Sequence, residues 1–227
     1  MPRRGKLIAF LGPVGVGKST IIRYLAHVLR FRGLKVSTVF IKAFHGPAYV
    51  LWVLVAKLLG INIKKPYAPW FVISRSGRLG LAKILTIVSM YLDVFFSIPI
   101  KLMKIRLIRG IGYHIISEEY LHSTLLDYAY SIASLKIKNR FVSIPTHILN
   151  ALLSKNVPDN TILLMADAPE LRRRWTIRGY GDPQPYYVAI QQKFLNKLGR
   201  ALIIDSTNMS IKKTLNKVLD EVVRDVS

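Results

Sequence analysis

Apolar residues along the chain fall into two kinds of run. Five are short and nearly continuous, at 6–11, 36–41, 113–117, 161–166 and 201–205, with the length and β-branched content of buried strands. Between them the pattern changes to helical spacing, over about 18–32, 47–59, 81–107, 124–134, 146–155, 169–177, 186–197 and 211–224. Gly33 supplies a stop signal for the first helix. This alternation predicts an α/β fold, a five-stranded parallel sheet flanked by helices in three layers. Ligands of such sheets sit beyond the carboxyl ends of the strands, so the loops after Leu11, Ile41, Ser117, Ala166 and Asp205 are expected to carry the function. The stretch 61–80, with Pro66, Pro69, Gly77 and Gly80 among Lys64, Lys65, Arg75 and Arg78, reads as a long mobile connection.

The first of those loops is the most informative. Gly12-Pro13-Val14-Gly15-Val16-Gly17-Lys18-Ser19-Thr20 matches the phosphate-loop pattern G-x-x-x-x-G-K-[ST], and it lies between a strand-like and a helix-like run, as the pattern requires. Glycines at 12, 15 and 17 let backbone N–H groups turn inward around an anion, with the dipole of the following helix behind them. Val16 lies within this cradle. Lys18 is expected on the β- and γ-phosphates, Ser19 on Mg²⁺, and Thr20 beside them, which makes ATP and Mg²⁺ the expected cofactors.

Composition narrows the class. The chain has 227 residues, 51% of them hydrophobic, enough for one substantial core, and 1–227 is read as a single domain with a lid at about 170–185. It has no cysteine, which excludes disulfides, thiolate metal sites and cysteine nucleophiles and is compatible with a reducing, cytoplasmic setting. The basic start leads straight into the first strand, so no secretion signal is read. The apolar stretch 79–108 is interrupted by Lys83, Asp93, Lys101, Lys104 and Arg106, so it is expected to be a buried or amphipathic helix rather than a membrane span. A net charge of +22, from 34 Lys and Arg against 12 Asp and Glu, attracts polyanions, nucleic acid included, without choosing among them.

Two further clusters can carry chemistry. After the third strand stand Glu118 and Glu119; a carboxylate there can complete the Mg²⁺ shell opposite Ser19 or orient an acceptor, with Glu118 the first choice. After the fourth strand, Asp167 can cap a helix that places Arg174 and Arg178 on one face, where guanidinium groups would neutralise a transferring phosphoryl group. Gly179 and Gly181 would hinge that segment. Acceptor recognition is less legible: Lys42, His45, Arg75 and Arg78 are the cationic candidates, with Phe44, Tyr67, Trp70 and Phe71 available for stacking. The five histidines show no metal-ligand spacing.

These motifs together resemble the thymidylate kinase family of P-loop nucleoside monophosphate kinases. The likeness rests on Gly12 to Thr20, on Ile116-Ser117-Glu118-Glu119-Tyr120-Leu121-His122-Ser123, and on 158–170 followed by Arg174 and Arg178. The resemblance implies transfer of the γ-phosphate of Mg·ATP to thymidylate, a homodimer, and acceptor contacts near Glu119 and Ser123. It departs at four places. Glu118 stands where the family has aspartate, Glu119 where it has a phosphate-binding arginine, and Val14 where it has an acid that contacts the acceptor sugar; the Arg-Glu-Pro element after the second strand is replaced by Ile41-Lys42-Ala43-Phe44-His45. The donor half is thus better matched than the acceptor half. The expectation is a nucleoside monophosphate kinase; the alternatives are a kinase acting on a nucleic-acid end or another phosphorylated metabolite, and a non-catalytic ATP-binding switch or nucleic-acid-binding module.

Overall fold

The computed structural model describes residues 4–62, 68–138, 140–179, 185–195 and 201–226. Five short apolar segments form the strands β1 (Leu7–Leu11), β2 (Val36–Phe40), β3 (His114–Glu118), β4 (Asn160–Met165) and β5 (Leu202–Asp205), each within a residue or two of its expected bounds. All pair in parallel, in the order β2-β3-β1-β4-β5, and helices flank the sheet. The expected α/β fold with a five-stranded parallel sheet is therefore met. β1 is wholly buried because it has a neighbour on each side, β3 through Phe10 opposite Glu118 and β4 through Leu11 opposite Leu163. β1 sends the chain toward β2 at one edge, whereas its neighbour β3 sends it the other way, to β4, so the loop leaving β1 lies at the topological switch point, where ligands bind in open α/β sheets.

By its internal contacts the chain divides into two compact units. The first, 1–40, 104–120 and 158–227, holds the sheet. Its helix α1 (Lys18–Phe31) turns Ile21, Ile22, Leu25, Ala26 and Leu29 inward, at spacings of one to four residues that trace one helix face, onto a core shared with Ile8, Phe10, Ile116, Ile162 and Ile204. Gly33, at φ 81°, ends the helix as expected. The same unit contains α8 (Ala168–Ile177), α9 (Pro185–Leu195) and α10 (Ile211–Val226). Asp167 caps α8 as its sequence predicts, its carboxylate accepting from the Glu170 N–H at 2.8 Å. At the opposite end of the sheet, the buried Arg109 guanidinium donates to Gly5 O and to Asp159, at 2.7 and 2.6 Å.

The second unit, 41–103 and 121–157, has helices as its only regular secondary structure among the described residues. It comprises α2 (Pro47–Leu58), α3 (Pro69–Arg75), α4 (Leu79–Leu92), a π-helical turn (Asp93–Ser97), residues 98–103 of α5 (Ile98–Gly110), α6 (Leu121–Ser134) and α7 (Ser143–Lys155). Two expectations are corrected here. The stretch 61–80 is not a connection throughout, because Pro69 starts the short helix α3, which buries Trp70 and Ile73 one turn apart. The helix expected over 81–107 is two α-helices joined by the π turn. Residues 79–110 have a mean hydropathy of 1.8 in their most apolar window and, by length and composition, meet the measure for a membrane span. Of the interrupting charges, Asp93 alone falls between 84 and 100, and it is buried. Half of that window is buried within the fold.

Candidate active site

The phosphate loop runs from the end of β1 into α1, and its glycines answer to its surroundings. A Cβ on Gly12 would meet Leu164 O at 2.3 Å, and one on Gly15 would meet the Trp175 ring at 2.5 Å. Gly15 and Gly17 have φ of 93° and 103°, conformations that side-chain-bearing residues avoid. Side chains from α8 and α9 grip the loop. Trp175 Nε1 donates to Val14 O at 3.0 Å, Arg174 Nη1 to Val16 O at 2.9 Å, and the Val14 N–H donates to buried Gln191 at 3.2 Å. Among the described residues helix α1 has no side-chain cap, and it has no acid in its first turn, so its positive end is left facing the loop.

Four predicted residues, Lys18, Ser19, Glu118 and Glu119, converge there. Ser19 Oγ donates to Glu118 Oε1, pairing a hydroxyl and a carboxylate oxygen. Both are hard oxygen donors at the foot of a phosphate cradle, which suits Mg²⁺. Lys18 is buried, and its ammonium donates to Gly12 O at 2.6 Å, Pro13 O at 3.1 Å and the Glu119 carboxylate at 2.9 Å. Thr20 lines a cleft of about 320 Å³ that runs from Gly15, Val16 and Gly17 to Arg178, Ile177, Met209 and Ile211.

The arginines expected to act together take different places. Arg174 donates to Glu170 at 2.7 Å, to Val16 O, and to Ser206 O at 2.8 Å, so the structure uses it to hold the loop. Arg178 is exposed at the end of α8, on the wall of the cleft. Hydrogen bonds from Arg173 and Arg174 hold the Glu170 carboxyl down at about 2. Gly179 has φ 68°, while Gly181 and the lid segment 180–184 lie outside the described residues.

In the helical unit the acceptor candidates are spread over several elements. Lys42 and His45 lie in the loop after β2, Arg75 and Arg78 at the junction of α3 and α4, and buried Ser123 in the first turn of α6. Arg75 covers the Phe71 ring at 4.4 Å, and Trp70 is core, packed edge-on to Tyr130. Tyr67 lies outside the described residues. Phe44 is buried against Tyr128 with φ 59°. Its N–H donates at 2.6 Å to Asp93, and Ser97 donates to His45 O at 3.1 Å, so the π turn fastens this loop. Burial raises the Asp93 carboxyl to about 7 and lowers His45. Sequence reasoning did not single out Gln191, Trp175, Asp93 or Tyr128 for these roles. Asp93 alone left a trace, as an acid set between apolar neighbours.

No protein-family model and no curated protein sequence matches the chain. Among solved structures it is similar to a thymidylate kinase from Candida albicans, with a TM-score of 0.58 and 20% identity, over 98% of this chain and 92% of that one. Its fold is a thymidylate kinase-like P-loop α/β fold.

Proposed function

We propose that the chain is an ATP-dependent phosphotransferase that moves the γ-phosphate of Mg·ATP to a nucleoside monophosphate. The observation that carries this reading is the meeting of Lys18, Ser19 and Glu118 around a glycine cradle at the switch point of the sheet. The similarity to a thymidylate kinase structure supports a nucleotide as acceptor. In the reaction an acceptor phosphate oxygen attacks the γ-phosphorus, the bond to the β–γ bridging oxygen breaks, and ADP departs. Mg²⁺, held by Ser19 and Glu118, would neutralise charge on the phosphate oxygens. Lys18 and Arg178 would add positive charge from the loop and the cleft wall, and Arg174, Trp175 and Gln191 would keep the loop in shape for the transfer.

The net charge of +22 favours a second acceptor class, the end of a nucleic acid. Radiolabelled ATP with Mg²⁺, offered to a panel of nucleoside monophosphates and to single-stranded oligonucleotides, separates the two. Transfer to at least one monophosphate is expected, reduced about 10²–10³-fold or more by Lys18→Ala. Tight ATP binding with no transfer to any acceptor would sink the enzyme reading.

A further inference from the structure

The lysine at the centre of the proposed donor site already has an anion on it. An ammonium carries three donors, and the three partners of Lys18 are two carbonyl oxygens of its own loop and the Glu119 carboxylate at 2.9 Å. Both side chains are about 95% buried, at 7% and 4% exposure, so water screens this pair little. Glu119 is also held in place from its backbone. It sits at φ 61°, in the left-handed region that a residue with a Cβ avoids, with its N–H on Phe10 O at 3.0 Å and its carbonyl accepting from Ser117. The two carbonyls belong to the wall of the loop. Among the described residues Glu119 is the anionic partner of Lys18, and it would repel an incoming phosphate.

We propose that Glu119 is a built-in competitor for the phosphate site: its carboxylate takes the place on Lys18 that a nucleotide phosphate needs and leaves when the nucleotide enters. This rests on the nucleotide reading above. The residue then sets which anions the loop accepts, because a ligand must offer Lys18 more than Glu119 does. A triphosphate chain can do so by engaging the loop N–H groups at the same time, while a single phosphate has fewer such contacts to offer.

The test measures the affinity of ATP and of inorganic tripolyphosphate, by calorimetry, for the wild-type chain, Glu119→Gln, Lys18→Ala and the double variant. Glutamine keeps the shape and an oxygen for Lys18 while removing the charge. Binding about tenfold tighter in Glu119→Gln, with that gain lost in the Lys18→Ala background, is expected. Unchanged or weaker binding in Glu119→Gln, or an equal gain without Lys18, overturns the proposal. A second measurement uses the wild-type chain: the ¹³C resonance of the Glu119 carboxylate should shift as tripolyphosphate saturates the site, and a resonance that stays put overturns it as well. Wild-type chain that binds ATP with neither effect defeats this inference alone. Wild-type chain that binds neither probe defeats the nucleotide reading with it.

Discussion

The two units treat their buried polar groups in opposite ways. In the sheet unit the phosphate loop is held by side chains from several elements, and its buried lysine has all three donors engaged. In the helical unit Trp52 Nε1, Ser89 Oγ, Asp93 Oδ1 and Thr124 Oγ1 are buried with no hydrogen-bond partner among the described residues. An unmatched buried polar atom costs about 1–3 kcal/mol, so these four are places where a bound water or ligand group would stabilise the unit. The loop is thus held in place by protein contacts alone, whereas the helical unit keeps polar capacity unspent.

Unseating the loop should have the largest effect. Gly15→Ala places a methyl group 2.5 Å from the Trp175 ring, at a φ of 93°. Strain and overpacking together should cost about 2–6 kcal/mol. Thermal melting should show a fall of several degrees, and calorimetry a loss of ATP binding. If Gly15→Ala melts and binds as the wild-type chain does, the loop is not rigidly held.

The helical unit is tested through Asp93. Its folded pKa of about 7 lies above the usual 3.8, so between these values the folded state holds the proton more tightly than the unfolded chain. Stability from this group is complete below about pH 4, falls as pH rises toward 7, and is flat above that. Asp93→Asn keeps an acceptor for the Phe44 N–H and removes the titration. It should therefore be more stable than the wild-type chain above pH 7, by a few kcal/mol at most, and lose the slope between pH 4 and 7. Denaturant melts across that range check it, and parallel slopes in the two proteins would refute the assignment. The smallest effect belongs to Arg173, an exposed partner of Glu170. Arg173→Ala should leave melting temperature and ATP affinity unchanged, since Arg174 still holds Glu170; a clear loss of ATP affinity would give Arg173 a part in the site.

What the sequence made legible follows from the range of the forces involved. Strands and most helices were readable because apolar period and local stop signals such as Gly33 act within one element. Helix α3 was hidden because seven residues between proline- and glycine-rich flanks give too short a period to see. The phosphate loop was readable because its glycines are demanded by backbone geometry. The grip of Trp175 and Gln191 on it was not, because those contacts span more than 160 residues of chain. Arg174 shows the same limit: helical spacing places it on a face, but Glu170, Val16 and Ser206 decide what it does there.

The π-helical turn at Asp93–Ser97 bears on how this chain should be lined up with others. A π turn holds one more residue than the α-helical turn it replaces, so it rotates every later position by about 100° relative to an unbroken helix. Residues 98–110 present the faces they do only because of that extra residue. An alignment that carries 79–110 across as one ungapped block would set every position after the turn about 100° off its matching face in a straight-helix relative, and a single gap at 93–97 restores the match.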